Sequence, residues 1–137
     1  MDIMAEPVFI KRKVLFGDCD PEGIVYTPRF SHFALEATHE ALGQWLGGAC
    51  IKRLKDLGVL PPVRAFSQEF LHPVTWDDEL YLKVSVGVVG VHSFCLKVEG
   101  NILPQTEAFS ADITYVCVSE ETKRPTNVPD ELRKALS

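Results

Sequence analysis

The residues best suited to chemistry lie in the segment Phe16–Phe30, which reads FGDCDPEGIVYTPRF. It places the carboxylates of Asp18 and Asp20 before a Pro-Glu-Gly turn and the start of a predicted helix. A helix N-terminus presents free N–H groups and a partial positive charge, which polarise a carbonyl group. A carboxylate held beside it can attack the carbonyl carbon or deprotonate a water molecule. The segment therefore predicts a minimal acyl-transfer site, although Asp-Pro-x-Gly is also an ordinary structural turn.

The helix that follows is predicted from Pro28 to Leu46, because apolar residues recur there at spacings of three and four. Thr27 is expected as the N-cap, Pro28 fits the first helical position, and Gly47 with Gly48 ends the helix. Apolar side chains occupy most of the circumference: Phe30, Phe33, Ala34, Leu35, Ala37, Ala41, Leu42, Trp45 and Leu46. Such a helix must be covered on several sides.

Most of the remaining chain favours strands, and alternation is clearest in Glu79–Val89, where every second residue is apolar. The other predicted strands are Val8–Phe16, Val63–Val74, His92–Glu99 and Thr106–Ser119, and residues 129–137 form a C-terminal tail or short helix. Strands joined by short connections run largely antiparallel. We therefore predict one α+β domain over residues 1–137, with a curved antiparallel sheet of about five strands around the long helix. Its edge strands favour dimerisation by edge pairing.

Composition excludes several classes of function. The 137 residues carry 14 basic and 19 acidic side chains, a net charge of -5, which argues against a nucleic-acid or anionic-membrane partner. No segment approaches the roughly 20 apolar residues of a membrane span, and Met1–Pro7 lacks a signal-peptide pattern. We expect a cytoplasmic protein whose four cysteines are free, and their irregular spacing without CxxC predicts no metal site.

The combination Phe-Gly-Asp-Cys-Asp-Pro-x-Gly-Ile-Val in residues 16–25 resembles the signature of the 4-hydroxybenzoyl-CoA thioesterase family. Weaker similarity continues through residues 76–80 and 92–94. The resemblance implies a hot-dog fold, in which the curved sheet wraps the long helix. It implies a hydrolase of acyl-CoA thioesters that uses neither metal nor cofactor, with Asp20 as nucleophile or general base. It also implies that the backbone N–H of Thr27 holds the thioester oxygen, in homotetramers built as dimers of dimers with sites between paired subunits.

The substrate-binding residues depart from that pattern. Thr27 stands where some members have an aromatic residue, and we expect Tyr26 to supply a ring wall instead. The family's basic cluster before the Ser-Phe pair is replaced here by residues 89–92, Val-Gly-Val-His. We therefore assign substrate contact to His92 and Ser93, and Arg64 is a substitute cation for the phosphates of CoA. Lys52, Arg53 and Lys55 are further substitutes.

Two alternatives to an acyl-CoA hydrolase stay open. The first is a thioesterase for acyl groups on an acyl carrier protein, and the second is a non-catalytic acyl-binding module. For the other candidate residues we expect structural roles: Asp18 supports the site, His32 and His39 lie at a surface or interface, and His72 packs or forms hydrogen bonds.

Overall fold

A computed structural model describes residues 4–103 and 105–137, so the first three residues of Met1–Pro7 lie outside it. The helices are Arg29–Leu46 (α1), Cys50–Asp56 (α2) and Asp130–Ala135 (α3), and Phe16–Asp18 forms a 3-10 turn. The strands are Val8–Lys13 (β1), Val59–Leu60 (β2), Val63–Phe70 (β3), Glu79–Val89 (β4), Ser93–Leu103 (β5), Thr106–Val116 (β6) and Val118–Ser119 (β7). Within the described ranges, no helix is long and apolar enough to cross a membrane.

A five-stranded antiparallel sheet in the order β1-β4-β5-β6-β3 packs against α1. The predicted helix and sheet are thus confirmed. On α1, Phe33, Ala34 and Ala41 are fully buried, because small residues let the helix approach the sheet closely. On the sheet, alternate residues of β4 and β5 fill the other side of the core: Leu80, Leu82, Val84, Phe94, Leu96 and Val98.

The ends of α1 follow the predicted signals in part. Gly47 ends the helix with φ 75°, a left-handed conformation that suits glycine. Pro28 has helical dihedral angles of -62° and -17°, as expected for an early helical position. The predicted capping by the Thr27 side chain is wrong, because no side chain in the described residues caps this helix. Backbone carbonyls satisfy the first amides instead.

Several strand boundaries and one register differ from the prediction. β1 ends at Lys13 rather than Phe16, because Phe16–Asp18 forms the 3-10 turn, and β5 continues to Leu103 rather than ending at Glu99. β3 ends at Phe70 rather than Val74, because the N–H groups of both Leu71 and His72 turn to the carbonyl of Ala108. The register shifts between Val86 and Val89, and this bulge turns Val88 out to 76% exposure although alternation placed it inside. The last predicted strand breaks after β6, and β7 pairs with β2 in a separate small sheet.

An aromatic cluster fixes the first turn of α1 against the sheet. The Phe30 ring lies 5.5 Å from that of Phe70 and 5.3 Å from that of Phe109, both in edge-to-face geometry. Gly100 leaves the space that the Phe109 ring fills, because a Cβ at this position would lie 2.4 Å from that ring. The start of the helix is therefore held rigidly by residues of β3, β5 and β6.

Candidate functional site

Asp18 connects the structural elements around the candidate site through hydrogen bonds. Its side chain is 1% exposed and accepts hydrogen bonds from Arg12 Nη1 at 2.7 Å, Arg29 Nε at 2.7 Å and the Leu15 amide at 2.8 Å. Arg12 belongs to β1 and Arg29 opens α1, so one carboxylate joins the sheet edge, the 3-10 turn and the helix. Burial acts to raise the pKa of Asp18, but these hydrogen bonds outweigh it and hold the pKa below its ordinary value. The structural role expected for Asp18 agrees with this geometry.

Replacing Asp18 should destabilise the fold. Asp18→Asn removes the negative charge that pairs with Arg12 and Arg29, and we expect the free energy of unfolding to fall by about 2 kcal/mol. The expected loss is smaller than that for breaking a fully buried ion pair, because the two arginine side chains retain partial access to solvent. Glu36→Gln, which removes the exposed partner of Arg12 on the same network, should cost less than about 1 kcal/mol.

Urea unfolding of both variants at several pH values measures this contribution. Because the pKa of Asp18 is lowered in the folded state, its contribution is present above its unfolded value and fades as pH falls through the folded pKa. The difference between wild type and Asp18→Asn should therefore shrink in acid. A constant difference from pH 7 down to pH 2 would contradict the assigned role of the carboxylate.

Asp20 lies in a tight turn that uses only one of its carboxylate oxygens. Oδ1 accepts hydrogen bonds from the N–H groups of Glu22 at 2.9 Å and Ile24 at 3.2 Å, and Gly23 completes the turn with φ 81°. Oδ2 has no hydrogen-bond partner in the described part of the chain. The structural-turn interpretation is thus correct for one oxygen, and the other is free to act on a ligand.

The Asp20 side chain lines a cavity of about 580 Å³ whose wall is partly aromatic. The Phe16 and Trp76 rings contact each other edge to face in this wall with centroids 5.2 Å apart, and both are at least half exposed. Glu22 is the other charged residue of the lining, so this cavity offers no cation to a phosphate. The position of Trp76 beside the carboxylate follows from the hydrogen bond of its amide to the Gly23 carbonyl.

The start of α1 offers one free amide at Thr27. The N–H groups of Arg29, Phe30 and Ser31 donate to carbonyls three residues earlier, and Pro28 has no N–H. The Thr27 N–H finds no acceptor among residues 4–103 and 105–137. It lies at the positive end of an 18-residue helix, as an oxyanion donor requires.

Thr27 lines a second cavity, of about 350 Å³, on the other side of the loop. Its walls are mainly apolar and include Phe30, Phe70, Leu71 and Val74, and His72 also faces it. Tyr26 is 62% exposed and is not among the lining residues of either cavity, so the expected ring wall is not formed within one chain. His72 forms a hydrogen bond with the Pro73 carbonyl, as the sequence analysis expected, and its place in the wall of this cavity is an additional finding of the structure.

The Asp20 and Thr27 cavities adjoin but are not continuous. The isolated bridge between Ile24 and Thr75 separates them, with Gly23 and Trp76 on the Asp20 side and Val25 and Val74 on the Thr27 side. A substrate that uses both groups must therefore reach across this bridge. Both groups belong to one short loop, which Asp18 anchors at the Tyr26 amide as well as through its side chain.

The remaining predicted residues lie at the other end of the sheet. Val63, next to Arg64, pairs with Tyr115, and Ser93 pairs with Val116, whereas Phe70 pairs with Phe109. Six residues of strand separate these ends, which corresponds to about 20 Å. Arg64, His92 and Ser93 therefore do not meet Asp20 and Thr27 within one chain, and their assignment to substrate contact stays a prediction for a site between paired subunits.

The substitute cations are partly engaged elsewhere. Lys52 pairs with Asp56 at 3.5 Å, and Arg53 pairs with Glu131 at 3.1 Å. Both Arg64 and His92 are exposed. All four cysteines are free, in agreement with the prediction.

Comparison with known proteins identifies the family to which this chain belongs. The model of the thioesterase-like superfamily matches residues 14–136. A 1,4-dihydroxy-2-naphthoyl-CoA hydrolase from Nostoc punctiforme is 30% identical over 125 residues, which cover 88% of this chain and 80% of that protein. The crystal structure of a thioesterase superfamily protein from Jannaschia sp. is 26% identical with a TM-score of 0.88, and the match covers 99% of this chain and 95% of that chain.

The narrower resemblance receives less support. A mutant 4-hydroxybenzoyl CoA thioesterase complexed with 4-hydroxybenzoyl CoA superposes with a TM-score of 0.82 over 97% of this chain and 100% of that chain, at 19% identity. At this identity the likeness shows the fold alone, so membership in that narrower family stays a prediction. The predicted hot-dog fold and the predicted enzyme class, a hydrolase of thioester bonds, are confirmed. Since the family model spans nearly every element described above, this chain belongs to the thioesterase-like superfamily.

Proposed function

We propose that this protein hydrolyses acyl-CoA thioesters with an aromatic acyl group, using the Asp20 carboxylate and the Thr27 N–H. The observation that carries the proposal is the pair of unused groups on one anchored loop, the Oδ2 oxygen of Asp20 and the amide of Thr27. The 1,4-dihydroxy-2-naphthoyl-CoA hydrolase at 30% identity supports the substrate class.

The chemistry follows from these two groups. The thioester oxygen accepts a hydrogen bond from Thr27, which stabilises the negative charge as the carbonyl carbon becomes tetrahedral. Asp20 either attacks that carbon to form an acyl-aspartyl anhydride, which water then opens, or removes a proton from water as the water attacks. In both routes the carbon–sulfur bond breaks, the coenzyme leaves as a thiolate, and the acyl group departs as a carboxylic acid. A thiolate is a good leaving group, so no strong acid is needed.

The Thr27 cavity favours an aromatic acyl group. Its walls combine the Phe30 and Phe70 rings with Leu71 and Val74, and aromatic side chains pack well against a planar ring. The carbonyl of an acyl group seated there lies toward the free amide. The thioester group itself then lies over the Ile24–Thr75 bridge, between the Thr27 amide and the Asp20 carboxylate, and the chain of the coenzyme continues past the Phe16–Trp76 wall.

Thiol release from a panel of aryl-CoA, alkyl-CoA and acyl-carrier-protein thioesters tests the proposal. We expect the aryl-CoA compounds to be hydrolysed with the highest kcat/KM. Thiol release from the acyl-carrier-protein thioesters alone would show that the substrate is an acyl carrier protein and not acyl-CoA. Binding of acyl-CoA without release of a thiol would instead show that the protein is a non-catalytic acyl-binding module.

The edge strand β3 supports a two-fold dimer of this enzyme. One side of β3 pairs with β6, and the residues Val63, Arg64, Ala65, Ser67, Glu69 and Phe70 are exposed. An unpaired edge with apolar residues tends to pair with another strand. Antiparallel pairing of two β3 strands would bring Arg64 of a second copy to the Phe70 end, beside the Thr27 cavity, where a phosphate of CoA needs a cation. We propose that this dimer, doubled into a tetramer in the cytoplasm, is the working form.

A charge in the middle of β3 should disrupt that dimer. In Ser67→Lys, two lysines approach each other across the two-fold axis, and we expect dissociation together with a loss of activity. Sedimentation velocity measures the mass of the particle. Ser85→Lys places the same charge on β4, an interior strand of the sheet, and should leave the mass unchanged. A Ser67→Lys protein of wild-type mass would contradict pairing through β3.

A further inference from the structure

We infer that His72 is a specificity-determining residue, whose Nε2 accepts a hydrogen bond from a hydroxyl group on the aromatic ring of the substrate. The inference rests on the proposed function, because it concerns the acyl group seated in the Thr27 cavity. It adds a polar recognition element to a pocket that is otherwise apolar.

The lining of the Thr27 cavity is apolar apart from two side chains. Beside Thr27, His72 is the other polar side chain in a wall formed by Ile24, Val25, Phe30, Phe70, Leu71, Pro73 and Val74. His72 is exposed, and a purely hydrocarbon ligand that covered it would remove water from the imidazole without replacing its hydrogen bond, which is unfavourable. The cavity therefore fits a ring that brings its own polar substituent.

The hydrogen bonds of His72 decide which kind of substituent fits. Nδ1 lies 2.6 Å from the carbonyl oxygen of Pro73. A carbonyl can only accept, so Nδ1 is the protonated nitrogen, and Nε2 of the neutral ring is an acceptor. Nε2 has no partner in the part of the chain that the structure describes. A hydroxyl group donates a hydrogen bond and matches this acceptor.

The backbone holds the imidazole in place. The N–H groups of Leu71 and His72 both donate to the Ala108 carbonyl, at 2.8 and 3.2 Å, where β3 leaves the sheet. Next to it, Phe70 is fixed by its edge-to-face contact with Phe30 on α1. A polar group on such a rigid element discriminates between ligands, because the cavity cannot rearrange cheaply when the hydroxyl is absent.

The test compares substrates with and without the hydroxyl group. We measure kcat/KM of wild type for 4-hydroxybenzoyl-CoA against benzoyl-CoA, and for 1,4-dihydroxy-2-naphthoyl-CoA against 2-naphthoyl-CoA. We expect wild type to prefer the hydroxylated member of at least one pair by roughly five- to ten-fold, the effect of one neutral hydrogen bond. His72→Leu should reduce that ratio to about one, mainly by slowing the hydroxylated substrate.

Two further variants keep the result interpretable. His72→Gln retains an acceptor and should retain most of the preference, so the inference can be tested even if His72→Leu folds poorly. His32→Leu makes the same change at an exposed position of α1 outside both cavities, and should leave the ratio unchanged.

Different outcomes of this experiment contradict the role of His72 and the proposed function. Hydrolysis of both members of each pair with a ratio that His72→Leu does not change would overturn the inference and leave the proposed function intact. A wild-type enzyme without preference for either hydroxylated substrate would overturn it too. Failure of wild type to hydrolyse any of the four compounds would overturn the proposed function, and the inference with it.

Discussion

Asp20→Asn should lower kcat for an aryl-CoA substrate by roughly 1,000-fold, within the range for loss of a catalytic base or nucleophile. The substitution keeps the acceptor oxygen that holds the Glu22 and Ile24 amides, so the turn should persist. What is lost is the negative charge on the second oxygen, which has no structural partner in the described residues. Stopped assays of thiol release measure the effect.

The matched control is Asp77→Asn, which makes the same chemical change at an exposed position near Trp76 but outside the Asp20 cavity. It should retain wild-type turnover. Equal unfolding free energies of the two variants would show that any difference in rate is chemical. An Asp20→Asn protein with more than a tenth of wild-type kcat would remove the carboxylate from the mechanism.

Isotope labelling separates the two routes open to Asp20. In a single turnover in water enriched in ¹⁸O, attack of water on an acyl-aspartyl anhydride at the aspartyl carbon leaves the label in the protein. General-base catalysis puts the label only into the acid product. Label in the Asp20 carboxylate establishes the anhydride route, whereas label in the acid product alone arises from general-base catalysis or from attack of water at the acyl carbon of the anhydride.

Thr27→Pro should lower kcat by roughly 100- to 1,000-fold, the usual effect of removing one oxyanion donor. Proline has no N–H, and position 27 precedes the helix, so the substitution removes no hydrogen bond of α1. Circular dichroism and thermal unfolding check that α1 still forms. The rate should fall because the charge that develops on the thioester oxygen no longer has its donor.

Thr27→Ala is the matched control for that variant, because it removes the side chain and keeps the amide. Since the Thr27 side chain does not cap the helix, we expect activity and stability close to those of wild type. Equal losses in Thr27→Ala and Thr27→Pro would assign the effect to the side chain and contradict a backbone donor.

The sequence predicted the parts of the fold that depend on local pattern. Apolar spacing placed α1, Gly47 ended it, and alternation placed β4 and β5, because burial on one face imposes a period on each element. The order of a strand, one apolar helix and several strands then leaves few ways to bury the helix.

What the sequence could not predict depends on contacts between distant segments. β3 stops early because a single carbonyl, that of Ala108, takes the amides of Leu71 and His72, and no local signal marks that competition. The positions of Arg64, His92 and Ser93 in the sheet likewise could not be predicted from the local sequence. Only the register of β3 and β5 against β6 shows that they lie at the opposite end of the sheet from Asp20.

The roles of Asp20 and Thr27 stay predictions, but their place on one loop could be predicted from the sequence. Only six residues separate them along the chain, so the chain itself keeps both on the loop that leads into α1. The pairing of Asp18 with Arg12 is different, because it depends on β1 lying beside the start of α1. His72 likewise reaches the Thr27 cavity through tertiary structure, by way of the Phe70 contact with Phe30.

The most direct test of the central claim is a crystal structure of the slow Asp20→Asn variant with an uncleaved aryl-CoA substrate. We predict the thioester oxygen within hydrogen-bond distance of the Thr27 nitrogen, the acyl ring between Phe30 and Phe70, and the thioester carbon next to the side chain at position 20. A thioester bound away from the start of α1, or a carbonyl turned from the Thr27 amide, would contradict the account.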